Sequence, residues 1–388
     1  RRIMIFDTFS ITVGALLVLL SLVTPILNPF FRIKNDFRNK SKINENDDNE
    51  IKPKVSVLLL AYDDPQELQN CISAVLNQKY NQDFEIIVII EKGDIIAENT
   101  LSPYLKDKRI YVTFVPSKPL FMSRQKLAIS IGVKAAHNEW ITIIKSNDIP
   151  ASENWLSALS RHFKKETSLI IGYANYEQKT KPYYRFIRLR TLSYLLHTAI
   201  HNTAYRSGSS NIAFRKSTFI GGGGYRGNLQ LVHGEFDFII NKYAVNGNTG
   251  VEISPDSFIR EKRPTKKEWN KDNISLYYMN KVLRRTIPHK LLYAVDVFTM
   301  YINYIAIITM MIYSATHINY ILLSTSIFAL ILTLTLRTII ARKAFRQYGE
   351  NVAWIKVIPY ELSTFINDLI FRFKYLRSDK NDFTTHKI

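Results

Sequence analysis

Residues 55–78, VSVLLLAYDDPQELQNCISAVLNQ, decide the architecture. Val55–Tyr62 reads as a strand buried on both faces, because its apolar residues follow one another instead of alternating. Asp64–Gln78 reads as the next helix. Asp64 is placed to cap it, and Pro65 suits a first turn where no N–H is needed. The alternation then repeats. FEIIVIIE (84–91) is a second buried strand and IYVTFVP (110–116) a third. RQKLAISIGVKAA (124–136) has apolar residues at helical spacing, and WITIIK (140–145) is a fourth strand. Buried strands alternating with helices predict an α/β fold with a mostly parallel sheet covered on both faces.

The pattern changes after Pro150. SLIIGYANY (168–176) and SNIAFRKSTF (210–219) read as strands, with a helix over 183–201 between them. Gly221–Gly224 is a flexible turn, and GEFDFIINKYAVNG (234–247) starts another helix.

The chain has 388 residues, 52 Lys+Arg against 33 Asp+Glu, and a formal net charge of +19. Such an excess suits nucleic acid, anionic membranes or anionic substrates. The apolar runs choose the membrane. Phe9–Leu27 carries no charge and is long enough to cross a bilayer, and two further runs follow at about 295–315 and 318–336. A cleaved leader is the alternative for the first run, but it lacks a small-residue cleavage site. The basic residues track the membrane edges and no nucleic-acid motif appears, so nucleic acid is not an expected partner. Membrane lipids are.

The expected layout is an anchor (1–30), a basic and polar linker (31–52), an α/β domain (53–250) and a basic membrane-proximal segment (251–292). Two membrane helices (293–340) and a tail (341–388) complete it. In the tail, Leu362, Phe365, Ile366, Leu369, Ile370 and Phe373 recur at helical spacing, an amphipathic helix for the membrane surface or the soluble domain. Lys34, Arg38 and Lys40 follow the first run, and Arg337, Arg342, Lys343 and Arg346 follow the third. The positive-inside rule then puts the main domain and the C-terminus in the cytoplasm. Cys71 is the sole cysteine, which excludes an internal disulfide.

The stretch from Lys54 to about Asn280 resembles the family 2 glycosyltransferases, which have the glycosyltransferase A-type fold. The likeness rests on residues 55–80, on FMSRQKLAISIGVKAAHNEWITIIKSNDIPASENWL (121–156), on GSSNIAFRKSTFIGGGGYRG (208–227) and on HGEFDFIINKYAVNGNTGVEI (233–253). It is nearest to membrane-anchored members of Bacteroidota-type bacteria, which implies the bacterial cytoplasmic membrane. The resemblance implies transfer of a sugar from a nucleotide-diphospho-sugar to an acceptor hydroxyl, with inversion. That chemistry uses Mg or Mn at an Asp-x-Asp, a carboxylate base, and cationic or polar groups over the diphosphate.

The motifs are altered at four places. Ser146-Asn147-Asp148 stands for Asp-x-Asp, leaving Asp148 as the one metal carboxylate; alone, it also reads as a turn residue or a cap for a helix over 153–161. Gly234-Glu235-Phe236-Asp237 puts Phe236 where the base is expected. Glu235 and Asp237 flank it as substitute bases or as helix-dipole partners, and His233 is a further proton acceptor. Trp269 is retained on the acceptor side, but Asp272 and Ser275 replace Gln and Arg, and Asn211 follows serines in place of Gly-Arg. At the nucleotide end Glu91 replaces the usual Asp pair, while Tyr62, Asp64 and Lys126 match. For Tyr62 and Lys126 the plain alternatives are a strand end and a solvated helix charge. Two functions follow. One is a catalytically impaired relative acting as scaffold or subunit with other membrane proteins, still able to hold a nucleotide-sugar. The other is an active transferase for polysaccharide or glycolipid. A third reading, handling lipid or polymer at the membrane, needs partners because three spans are few.

Overall fold

The computed structural model describes residues 8–31, 52–61, 64–117, 119 and 121–384. Tyr62 and most of the expected 31–52 linker lie outside them. The chain forms two compact units, one of residues 37–285 with 368–388, the other of 1–36 with 286–367.

The first unit is built on a seven-stranded sheet. Its strands are β1 (Val55–Leu60), β2 (Phe84–Glu91), β3 (Ile110–Val115), β4 (Trp140–Lys145), β6 (Leu169–Gly172), β8 (Ile212–Arg215) and β9 (Thr249–Glu252). The order is β3-β2-β1-β4-β8-β6-β9, and β3, β2, β1 and β4 are parallel neighbours, as expected. The antiparallel β8 joins β4 to β6. β5 (Asp148–Pro150), β7 (Ala174–Tyr176) and β10 (Ile259–Glu261) make a second sheet of order β5-β10-β7.

Local chemistry explains the elements. The helix Pro65–Leu76 starts where Asp64 Oδ1 accepts the Gln66 and Glu67 amides at 3.0 and 3.4 Å. It buries Leu68, Cys71, Ile72 and Val75, one face at helical spacing, against the apolar side chains of β1 and β2. Each such side chain contributes roughly 1.5–3 kcal/mol by leaving water.

Three expectations change. The 168–176 run is not one strand: it crosses from the large sheet to the small one at Tyr173, which packs edge-on against Phe258 at 4.7 Å. The 210–219 run is a strand only to Arg215, then a helix over Lys216–Gly221. The domain continues past 250 to 285, because β9, β10 and the helix Lys266–Val282 complete it.

Among the described residues, the second unit holds three helices long and apolar enough to cross a membrane, Thr8–Leu27, Ile287–Thr316 and Tyr320–Gln347. Leu17, Ile307 and Ala329 form its packed centre. A Cβ on Gly14 would meet Thr325 Oγ1 at 3.0 Å, so these helices approach closely. Arg337 is not a loop charge. It lies inside its helix, fully buried, with Nε 2.7 Å from Glu361 Oε2 and Nη2 3.5 Å from Asp296 Oδ1. Asn28 Nδ2 donates to Glu361 at 2.8 Å.

The tail forms the helix Val357–Arg377. Phe365, Ile366, Leu369, Ile370 and Phe373 are exposed, while Phe371 and Tyr375 are buried. The buried pair contacts the aromatic rings of Trp269 and Tyr277.

Candidate active site

Parallel α/β sheets leave backbone ends and loops at the carboxyl edge, where ligands bind. Among the described residues, two clefts are found there. The first, about 310 Å³, is lined by Pro65, Glu91, Lys92, Gly93, Asp94 and neighbours at the ends of β1 and β2. Glu91 lines it and is ion-paired with Arg124. Asp64 lies beside it, capping its helix and 3.7 Å from Lys262 Nζ.

The second cavity, about 240 Å³, gathers Lys145, Arg188, Arg206, His233, Glu235, Phe236, Asp237, Glu261, Trp269, Asp272 and Ser275 among its walls. β4 supplies Lys145 as its last residue. Ser146 N then bonds Leu60 O at 2.9 Å, and Asn147 O accepts Lys262 N at 3.1 Å. The chain so turned enters β5, where Asp148 faces Glu261 across the antiparallel pair with β10. Asp148 is completely buried. Its Oδ2 accepts from Ser210 Oγ at 2.6 Å and its Oδ1 is 3.4 Å from Lys145 Nζ. Burial pushes the Asp148 carboxyl above its ordinary value, Lys145 pulling against it. Asp148 does not cap the following helix, which is Trp155–Ser160 with Asn154 at its cap position.

Asp148 lines neither cleft; the group that the end of β4 turns into the second cavity is the Lys145 ammonium. The resemblance implies a divalent cation here, and these donors do not fit one. Asp148 is engaged by a hydroxyl and an ammonium, the facing Glu261 is held by Arg188, and a cation beside Lys145 would be repelled.

The other charges are paired too. Arg188, from the helix Pro182–His201, places Nη2 2.7 Å from Glu261 Oε1 and stacks its guanidinium 5.2 Å over Tyr176. Burial works to raise Glu261, but Arg188 and then Lys145 hold it below its ordinary value. Asp237 is a clamp. Its Oδ1 accepts Gly208 N at 2.8 Å and Ser207 Oγ at 3.2 Å, and its Oδ2 is 3.2 Å from Arg206 Nε.

Glu235 differs. Gly234 precedes it at φ +85°, a left-handed conformation that favours glycine and turns the chain into the helix Glu235–Tyr243. Glu235 is buried, and its carboxyl is pushed up to about 7, by burial first, against its own amide, Lys126 and Lys145. His233, in the same wall, is pushed down to about 4 by burial, Lys271 and Lys126. Trp269 stacks on Tyr184 at 4.2 Å and closes the far side.

Lys126 is no solvated charge. It is fully buried, and its Nζ donates to Asn228 O and Leu231 O, each at 2.7 Å. The Asn211 amide is a joint of the fold, donating to Tyr173 O and Ser257 O at 2.8 Å and accepting from Trp155 Nε1 at 3.1 Å. Ser146, Asn147, Lys126 and Asn211 line neither cleft. Sequence reasoning missed Lys145, Arg188, Arg206 and Glu261 as site residues. Only Lys145 carried a signal, as the charged end of an apolar strand.

Residues 56–221 match the family model described as glycosyl transferase family 2. That match and the sheet order above describe a mixed α/β fold with a mostly parallel sheet, like the glycosyltransferase A type. Glycosyltransferase GlyG of Streptococcus pneumoniae serotype 4 is 28% identical over 136 residues, 34% of this chain and 43% of that protein. The chain thus spans less than half the length of that curated relative. Mannosyltransferase PcManGT from Pyrobaculum calidifontis, in complex with GDP-Man and Mn2+, is similar at 14% identity and a TM-score of 0.47 over 92% of this chain and 98% of that one. The family match ends before Glu235, Glu261 and Trp269.

Proposed function

We propose that this is a membrane-anchored glycosyltransferase-like protein of a bacterial cytoplasmic membrane, diverted from sugar transfer and acting as a scaffold or subunit beside other membrane proteins. One observation carries the reading: each cation lining the second cavity is already neutralised from within. Lys145 sits 3.4 Å from Asp148, Arg188 2.7 Å from Glu261, and Arg206 3.2 Å from Asp237. Stabilising a departing diphosphate needs positive charge aimed at the substrate, and these ion pairs oppose that. Phe236 adds an apolar ring where the resembling enzymes hold a carboxylate. The main domain and the C-terminus face the cytoplasm in this reading, and a nucleotide-sugar remains a ligand that the first cleft could hold without catalysis.

The test is calorimetric titration of the detergent-purified full chain with nucleoside diphosphates and nucleotide-sugars, with and without Mg²⁺ or Mn²⁺, alongside a sugar-transfer assay. We expect no binding that depends on the metal and no turnover. Robust transfer by the purified protein would sink the proposal.

Glu235 supports a second reading, an active inverting transferase for a polysaccharide or glycolipid. Its carboxyl, at about 7, is poised to take a proton near neutral pH. On that reading Glu235→Gln lowers turnover at least a hundredfold with little change in KM.

A further inference from the structure

A third cleft, about 460 Å³, adjoins the second cavity at Tyr184, which lines both, and is otherwise walled by Thr180, Lys181, Arg263, Pro264, Thr265 and Lys266, none of which lines that cavity. We propose that it binds a phosphate-bearing anion, held by Thr180, Lys181, Arg263 and the amino end of the helix Lys266–Val282.

Thr180 is the independent pointer. It is 2% exposed, and its Oγ1 has no hydrogen-bond partner among the described residues. A buried hydroxyl left unpaired is costly, so one that lines a cleft implies a missing acceptor. The helix of 17 residues supplies donors beside it. Its capping box ties Glu268 N to Thr265 Oγ1 at 3.2 Å and Thr265 N to Glu268 Oε2 at 2.7 Å. The first-turn amides of Lys266 and Lys267 have no intrahelical acceptor, and the helix dipole favours an anion there.

Charge makes the same choice. Among the described residues, Lys181, Arg263 and Lys266 have no carboxylate at ion-pair distance; Lys181 Nζ lies 5.7 Å over the Tyr184 ring. The second cavity has every lining cation paired, and this cleft has none. A hydroxyl, a guanidinium fork, two ammonium groups and helix amides are all donors. The complement is a multiply charged anion with several acceptor oxygens, which is a phosphate or diphosphate. The ligand's phosphate has two possible sources, a lipid headgroup or a soluble molecule. The inference does not depend on whether the second cavity transfers sugar.

The experiment uses the full chain in phosphatidylcholine nanodiscs, titrated calorimetrically with inorganic pyrophosphate. A parallel sample in nanodiscs containing phosphatidic acid is titrated in the same way. We expect saturable pyrophosphate binding, weakened at least tenfold in Arg263→Gln/Lys266→Gln and about threefold in Thr180→Val. Lys108→Gln/Lys134→Gln, which removes equal charge elsewhere on the surface, keeps wild-type affinity. Loss of pyrophosphate binding in the phosphatidic acid sample supports the site and assigns the headgroup as its occupant. Unchanged binding there supports the site with a soluble phosphate. Absence of saturable binding, or equal weakening by the two double variants, overturns the proposal.

Discussion

Glu235 and Asp237 are two residues apart on one helix, yet they have opposite duties. Asp237 closes the 206–208 loop, and its partners are 29 to 31 positions upstream in the chain, where no local pattern announces them. Glu235 keeps a buried carboxyl with a raised proton affinity. Its folded value is about 7 against an ordinary 4.5, so the folded state binds the proton more tightly. The stability this contributes is full below pH 4.5 and is lost as pH rises through about 7. Glu235→Gln removes that loss. In urea unfolding of the full chain in mild detergent, the variant should gain on the wild type by on the order of 3 kcal/mol from low to neutral pH. A gap that does not move with pH would show that the carboxyl is hydrated. His233 works the other way. Its folded value of about 4 lies below the ordinary 6.5, so its contribution is present above pH 6.5 and fades as pH falls through about 4.

At the scale of elements, the strand-helix alternation from β1 to β4 was legible because each element is decided by its own residues. The break between β6 and β7 was not. Residues 168–176 look like one strand; what splits them is Asn211, far along the chain, whose amide grips Tyr173 O. A Cβ on Gly172 would lie 2.3 Å from Asn211 Nδ2. Gly172→Ala therefore displaces Asn211, with a cost of about 1–3 kcal/mol in unfolding and faster hydrogen exchange at both strands. Lys126 likewise joins the helix Arg124–Ala135 to a loop over a hundred residues away. Lys126→Met orphans the Asn228 and Leu231 carbonyls, costing about 2 kcal/mol. The exchange protection of residues 225–232 should fall most; uniform change across the unit would contradict this tether.

At the scale of the whole molecule, the chain divides into an α/β unit and a helical unit whose long helices are apolar enough to cross a membrane. In the helical unit Arg337 binds Glu361 and Asp296 where charge is expensive to bury. Arg337→Met leaves two carboxylates without their cation and should lower the thermal midpoint in detergent, by an amount equivalent to about 3 kcal/mol or more. Arg337→Met/Glu361→Gln should recover a large part of that loss. If the double variant is no better than the single, the pairing is not what matters. The C-terminal stripe of Phe365, Ile366, Leu369, Ile370 and Phe373 is apolar and exposed, while Phe371 and Tyr375 of the same helix are buried.

The sequence by itself determined the α/β class, the helices long enough to span a membrane, the caps and the family likeness. All of these rest on periodicity, length or contiguous motifs, which act between residues close in the chain. The tertiary structure decided which charges meet. Lys145 and not Asp148 reaches the cavity, Glu261 and Arg188 pair across 73 positions, and Lys181 joins Arg263 and Lys266 around Thr180. Electrostatic partnership depends on distance in space and on burial, and neither is written in the order of residues until the sheet brings them together.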